Sequence, residues 1–337
     1  MKRSVTQAAF TLLELLIAVA ITLLIATLML TITSNILNLW RRSQAGHTQA
    51  TTAKQVFDLL EQDFQSAVYR RDSNRWLAAD ILDSTAELTN HGWLATATGP
   101  TKPANGGSLM PLPASDANGV RLIQNARFGL SGIWLRFIAT NVESGGSLPT
   151  FIAYQMVRRP VTGNPVTSNS APVRYSLYRT PLSNSTTFDT SYDVTSSQYT
   201  SSNNNPNAVT TNSRSVKDAV NPGHAFLLAS NVVDFGCWLY VRDTDGSLHL
   251  IYPGGVNDKT HQAVGNSMAS DTRYPEVADV MLRILTDEGA TLLEAIELGR
   301  IPVRPPTYGT DAEWWWAVVE ANSKVFTRRI EIKGCAL

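Results

Sequence analysis

One acid stands inside an apolar run. Glu14 lies four residues into the stretch that starts at Phe10, and from Leu15 to Trp40 no side chain is charged. A carboxylate in hydrocarbon costs roughly 2.5–3.5 kcal/mol at mid-membrane on insertion scales, and less near the interface. Its chemistry is that of a charge that needs a partner. The other reactive side chains do not fall into a catalytic pattern. His47, His91, His224, His249 and His261 show no HExxH or HxH spacing, the pattern that brings two imidazoles onto one metal. No GxSxG, Walker loop or GxGxxG occurs, so no nucleophile elbow or phosphate cradle is expected. Asp243 and Asp245 lack the further spaced ligands of a calcium loop and read as a turn. Cys237 and Cys335 fit no zinc or CxxC spacing. In an exported head they form one disulfide, worth roughly 4–5 kcal/mol for so long a loop in the chain-entropy model, or they remain two buried free thiols. The expectation is no enzyme, no metal and no cofactor.

The element that carries Glu14 is a helix. The run from Phe10 to Trp40 exceeds the ~20 apolar residues that span a bilayer. A cleavable secretory signal has an apolar core of about 7–15 residues before a small-x-small site. Here the only Ala-x-Ala, Ala18-Val19-Ala20, lies inside the run. Beyond Arg42 the pattern turns amphipathic. Ala53, Val56, Phe57, Leu60, Phe64, Ala67 and Val68 form a stripe at helical spacing, with Lys54, Asp58, Glu61, Gln62 and Gln65 opposite. No Pro occurs before Pro100. One helix of about 90 Å, from Phe10 to about Arg70, is expected at 1.5 Å per residue. Lys2 and Arg3 precede the span and Arg41 and Arg42 follow it, so loop charge does not set its orientation.

The rest reads as β-rich. Residues 72–120 look loop-rich, with Gly99-Pro100, Asn105-Gly106-Gly107 and Met110–Pro113 as breakers. Strands are expected at Ile133–Ile138, Phe151–Val157 and Val173–Tyr178, where β-branched and aromatic residues partly alternate. Two more, Val232–Arg242 and Ser247–Tyr252, flank an Asp-Gly turn and read as a hairpin. Tyr274–Leu285 and Val325–Ile332 complete the strands. Helices are expected at Thr286–Leu298, ended by Gly299, and from Thr310-Asp311-Ala312-Glu313, a capping box, to about Ala321. That helix carries Trp314, Trp315 and Trp316, which cannot share one face. They belong to core packing or to a partner surface. Residues 183–215, rich in Ser, Thr and Asn with few apolar anchors, read as an exposed, flexible insertion. Equal numbers of basic and acidic residues, 28 each, argue against nucleic acid as a partner.

The stretch Ala9-Phe10-Thr11-Leu12-Leu13-Glu14-Leu15-Leu16-Ile17-Ala18-Val19 resembles the N-terminal signal of type IV pilins and type II secretion pseudopilins. In that family a basic leader, here with Lys2 and Arg3, is cut before a Phe. The new amine is methylated, and a Glu stands at the fifth mature position. The resemblance implies cleavage by a prepilin peptidase between Ala9 and Phe10, N-methylation of Phe10, and a registry role for Glu14. Its carboxylate would pair with the ammonium of Phe10 on a neighbouring subunit. Ala9 stands where the family prefers Gly. The order of a long helix, strands, hairpin and terminal strand is similar to the larger minor subunits: the J-type pseudopilins, the W-type pilins and the prepilin-like cassette protein C group of Verrucomicrobia.

The resulting expectation is an α+β, pilin-like fold, a long N-terminal transmembrane and amphipathic helix packed on a mainly antiparallel head. Its parts are a leader at 1–9, a transmembrane half at 10–40, an amphipathic half at 41–71 and the head at 72–337. The expected function is a minor filament subunit that meets prepilin peptidase, other pilin or pseudopilin subunits and inner-membrane lipid. It sits as a single-pass inner-membrane protein with a periplasmic head, or outside the cell in a filament. The head's size and its insertion favour a minor subunit over a repeating one. The alternatives are a permanently anchored periplasmic or extracellular binding or adhesion domain with an uncleaved N-terminus, and an anchored hydrolase whose site gathers only in the fold.

Overall fold

The structure is a computed structural model. It describes residues 12–83, 88, 91–94, 97–104, 122–140, 148–160, 172–200, 214–254, 259–269, 271–301 and 304–336. The chain divides into two compact units, Met1–Thr48 and Gln49–Leu337. Helix α1, Leu12–Gln65, supplies the described part of the first unit and the opening element of the second.

In the first unit the apolar residues from Leu12 to Trp40 are exposed around the helix rather than along one stripe. In the second unit α1 is amphipathic as its spacing predicts. Ala53, Val56, Phe57, Leu60 and Phe64 are buried in the core of the head. The helix ends at Gln65, short of the expected Arg70. The backbone is diverted there to the sheet: Ser66 carbonyl accepts from the Thr140 amide at 2.9 Å, and Ala67 bridges Ala139. Val68–Tyr69 then forms strand β1.

Among the described residues ten strands build two antiparallel sheets. The larger contains β2 (Arg75–Ile81), β3 (Ile133–Thr140), β4 (Pro149–Pro160), β5 (Val173–Pro181), β6 (Leu227–Ser230) and β9 (Thr260–Val264). Its order is β6-β5-β4-β3-β2-β9. The smaller contains β7 (Val232–Arg242), β8 (Leu248–Tyr252), β10 (Val277–Leu285) and β11 (Ser323–Glu331), in the order β11-β10-β7-β8. A short parallel pair joins β1 to β12 (Cys335–Ala336). Phe137, Tyr154 and Leu177 of the larger sheet share one core with Phe235, Leu239 and Leu282 of the smaller. The mixture of helices with antiparallel sheets is the expected α+β class.

The β7–β8 hairpin closes as its Asp-Gly predicts. The Gly246 amide donates to Asp243 carbonyl at 2.9 Å, and Gly246 takes φ +84°, a value that costs glycine little. Strand β2 lies inside the stretch expected to be loop. Its centre, Trp76-Leu77-Ala78-Ala79, is rich in Ala, a weak strand former. It is nevertheless buried, paired to β3 on one side and β9 on the other.

The expected insertion at 183–215 is corrected over its first part. Helix α2 (Asn184–Asp189) is capped by Ser183, whose side chain accepts from the Thr186 amide. Thr187 Oγ1 accepts from the Phe151 amide at 2.9 Å. Val194 and Tyr199 are buried, and Tyr199 stacks on Phe151 at 4.5 Å. Tyr199 lies in a short helix α3 (Ser197–Thr200), and α4 (Arg214–Lys217) follows. The hydroxyls that made the stretch read as solvated satisfy backbone donors at the sheet. Residues 201–213 lie outside the described residues, as do the breakers Asn105–Gly107 and Met110–Pro113.

Two helices complete the head. Helix α5 (Asp287–Glu297) is capped by Thr286, and Gly299 beyond its end has φ +66°. Helix α6 (Asp311–Asn322) has the complete capping box between Thr310 and Glu313. Trp315, Trp316, Leu293 and Tyr175 form a second buried cluster between these helices and the sheets.

Candidate functional site

The first unit holds the one acid of the apolar run. Glu14 lies in the first turn of α1 and is exposed. A carboxylate there is favoured by the positive end of the helix dipole, by about 0.3–1 kcal/mol. Ala9 and Phe10 lie outside the described residues. Past Glu14 the helix is long and apolar enough to cross a membrane. Three of its hydroxyls are turned inward. Thr22 donates to Ala18 carbonyl at 2.7 Å, Thr27 to Leu23 at 2.8 Å and Thr31 to Thr27 at 2.9 Å. Each bond spends the hydroxyl proton on the helix's own backbone. That suits a helix surrounded by hydrocarbon, where an unsatisfied donor costs several kcal/mol. An apolar surface on all sides, led by one acid, can do two things: bury itself in lipid or bundle with other helices.

The second unit grips its part of α1 with polar contacts that sequence reading missed. Asp63 is buried. Arg179 clamps its carboxylate with two bonds, Nε to Oδ2 at 2.7 Å and Nη2 to Oδ1 at 2.8 Å. The Tyr154 hydroxyl donates to Oδ2 at 2.5 Å. Burial first, and the Asp63 charge second, push the Tyr154 phenol well above its ordinary range. About four turns earlier on the same face is Gln49, whose side-chain amide donates to Ile284 carbonyl at 2.9 Å. The signal was present. Gln49, Ala53, Val56, Leu60 and Asp63 follow spacings of four, three, four and three, so two polar residues sit in the apolar stripe.

A second buried carboxylate organises the α5–α6 side. Glu297 accepts from Arg158 Nε at 2.6 Å, from the Tyr175 hydroxyl at 2.6 Å and from Trp315 Nε1 at 2.9 Å. All three Trp of α6 are buried, so core packing holds them. Burial, then Glu297, raises the Tyr175 phenol far above its ordinary value.

The remaining sequence candidates are dispersed. Cys237 is a buried free thiol facing Val280 across the β7–β10 ladder, and burial pushes its pKa up. The backbone of Cys335, the other half of the expected pair, pairs with Val68 in the β1–β12 ladder, and its side chain lies outside the described residues. Asp245 is spent within its turn, accepting from the Ser247 amide at 2.9 Å and hydroxyl at 2.6 Å. His91 bonds Gln155 through Nδ1 at 3.1 Å, and His261 is buried near Tyr252. Among the described residues no group of His, Cys, Asp or Glu is placed to hold a metal ion.

One open cleft of about 590 Å³ marks the head, between β1 and the β9–β10 connection. Tyr69 and Tyr274 stack at 4.6 Å along one wall. Arg71, Asn266 and an Arg273–Glu276 pair at 2.6 Å line the rest. Compared with protein-family models, curated proteins and solved structures, the chain matches none of them.

Proposed function

We propose that this protein is a minor subunit of a pilin-like filament, of the type II secretion or type IV pilus kind. It is stored in the inner membrane by the first unit of α1, with its head in the periplasm. Prepilin peptidase cuts between Ala9 and Phe10, and Phe10 is N-methylated. Assembly then exchanges lipid for neighbouring helices, and Glu14 sets the register by pairing with a subunit's terminal ammonium. The observation that supports this reading is the stretch of α1 from Leu12 to Trp40: exposed and apolar on every side, with its single acid, Glu14, in the first turn. Pairing neutralises two charges in a low-dielectric setting and ties a non-directional apolar surface to one alignment.

The test is the intact mass and N-terminal residue of the protein taken from its native membrane. A chain that begins at N-methylated Phe10 supports the proposal. A chain that retains Met1 sinks it. In that case the cleft beside Tyr69 and Tyr274 favours the second reading, an anchored binding or adhesion domain.

A further inference from the structure

Among the described residues several buried N–H donors have no acceptor, and three of them, Arg127 Nε, Arg283 Nε and Trp316 Nε1, belong to residues gathered at one place. Their residues are only 8, 6 and 2% exposed. They come from separate elements, Arg127 from the segment after the turn Ile123–Asn125, Arg283 from β10 and Trp316 from α6. Yet they converge on one indole. The Arg127 guanidinium carbon lies 4.3 Å from the Trp316 ring centre and that of Arg283 lies 5.7 Å away. Lys102 Nζ is 6.0 Å from the same ring.

Among the described residues the charges around this ring do not balance. Lys102 pairs with Asp234 at 3.0 Å, both fully buried, and Arg127 pairs with Glu320 at 2.6 Å. Arg283 has no carboxylate partner among the described residues, only a 3.5 Å contact to Gln124 carbonyl. Burial, with Arg127 nearby, weakens the hold of Arg283 on its proton, and burial does the same for Lys102. An unmet buried donor costs about 1–3 kcal/mol, more when charged. Three such donors beside one ring call for a shared acceptor. Water accepts but must also donate, and the nearby carboxylates, Asp234 and Glu320, already take donors. An anion only accepts, and a single negative charge cancels the excess.

We infer that Arg127, Arg283 and Trp316 form a buried binding site for one small monovalent anion of halide size. A halide accepts from N–H groups in any direction, which suits donors on three separate elements. The site is independent of the filament reading.

The experiment is thermal unfolding of the full chain in detergent at fixed ionic strength, with gluconate exchanged for chloride or bromide. A ligand that binds only the folded state raises its stability by RT ln(1 + [L]/Kd). The midpoint should rise by a few degrees and keep rising with halide concentration, and Arg283→Gln should remove that rise. Should Arg283→Gln fail to fold, crystals grown in bromide give the second measurement, an anomalous peak between Arg127, Arg283 and Trp316. Equal midpoints in halide and gluconate, with no anomalous peak, would overturn the site in favour of water. Stronger protection by inorganic phosphate than by chloride would overturn its assignment to halide-sized ions.

Discussion

Asp63 shows how much one residue can carry in this head. Its carboxylate and the Arg179 guanidinium are both buried, so neither tolerates loss of the other. Removing one partner of a buried pair costs about 3–5 kcal/mol, because the survivor keeps its charge without compensation. Arg179→Met should therefore destabilise the head by that amount in denaturant unfolding. Tyr154→Phe, which leaves the ion pair whole, should cost only about 1 kcal/mol. Equal effects would show that the pair is not the grip on α1. The buried phenols make a second residue-scale prediction. Tyr154, Tyr175, Tyr199, Tyr240 and Tyr274 all have raised pKa values, burial being the leading cause, and so does the Cys237 thiol. Unfolded, these groups ionise near their ordinary values of about 8.5 for Cys and 10 for Tyr. Above those values the unfolded chain has shed protons that the native chain keeps, so stability falls as pH rises. Lys102, lowered by burial, works the other way below about 10.4 but is one group against six. The unfolding free energy should be flat through neutral pH as far as these groups are concerned. It should drop between about pH 9 and 11, by up to ~1.4 kcal/mol per pH unit for each ionising group. Phenolate absorbance should appear with unfolding and not before it.

At the scale of elements, what was legible followed local chemistry. Thr310 and Glu313 announced α6, Asp-Gly announced the β7–β8 hairpin, and β7 runs over the residues that its valine-rich pattern marked. The Thr310 cap can be weighed directly. Thr310→Ala removes the acceptor for the Glu313 amide, a 3.2 Å bond, and should cost about 1 kcal/mol by thermal or denaturant unfolding. No loss would mean that the packing of Trp315 and Trp316 alone holds α6. The illegible elements were those decided by tertiary partners. β2 reads as loop because Ala78 and Ala79 have little strand preference, and only β3 and β9 make it central. The segment from Ser183 to Thr200 reads as solvated because its Ser and Thr hydroxyls look outward in composition, while in the fold Ser183 and Thr187 satisfy backbone donors. For the candidate site, Glu14 stood out by contrast with its apolar neighbours. Arg127, Arg283 and Trp316 lie far apart in sequence, and nothing but the fold brings them together. Close packing also sets limits within elements. A Cβ on Gly236 would sit 2.1 Å from the Phe128 ring. Gly236→Ala should therefore destabilise β7 by about 1–3 kcal/mol, the usual range for overpacking.

For the whole molecule, the two units should answer to different solvents. The first exposes an apolar helix that water cannot stabilise by itself, since an isolated helix draws most of its stability from packing an apolar face. The second contains a closed core of two sheets with the buried stripe of α1, from Ala53 to Phe64, inside it. A fragment of Gln49–Leu337 should therefore stay folded and soluble without detergent, whereas the full chain should need detergent or lipid. The cut falls beside Gln49, whose bond to Ile284 carbonyl will fray at a new chain end. That loss should cost the fragment no more than about 1 kcal/mol, the value of one hydrogen bond. In the full chain, Glu14→Ala should leave the head's unfolding midpoint unchanged while lowering incorporation into filaments, because Glu14 belongs to the first unit and the core to the second. Midpoints are read by circular dichroism, and incorporation by the share of protein recovered in sheared filaments. If Glu14→Ala assembles as well as the unaltered chain, registry by Glu14 is wrong. If the fragment aggregates in buffer, the division at Thr48 does not mark an independent head.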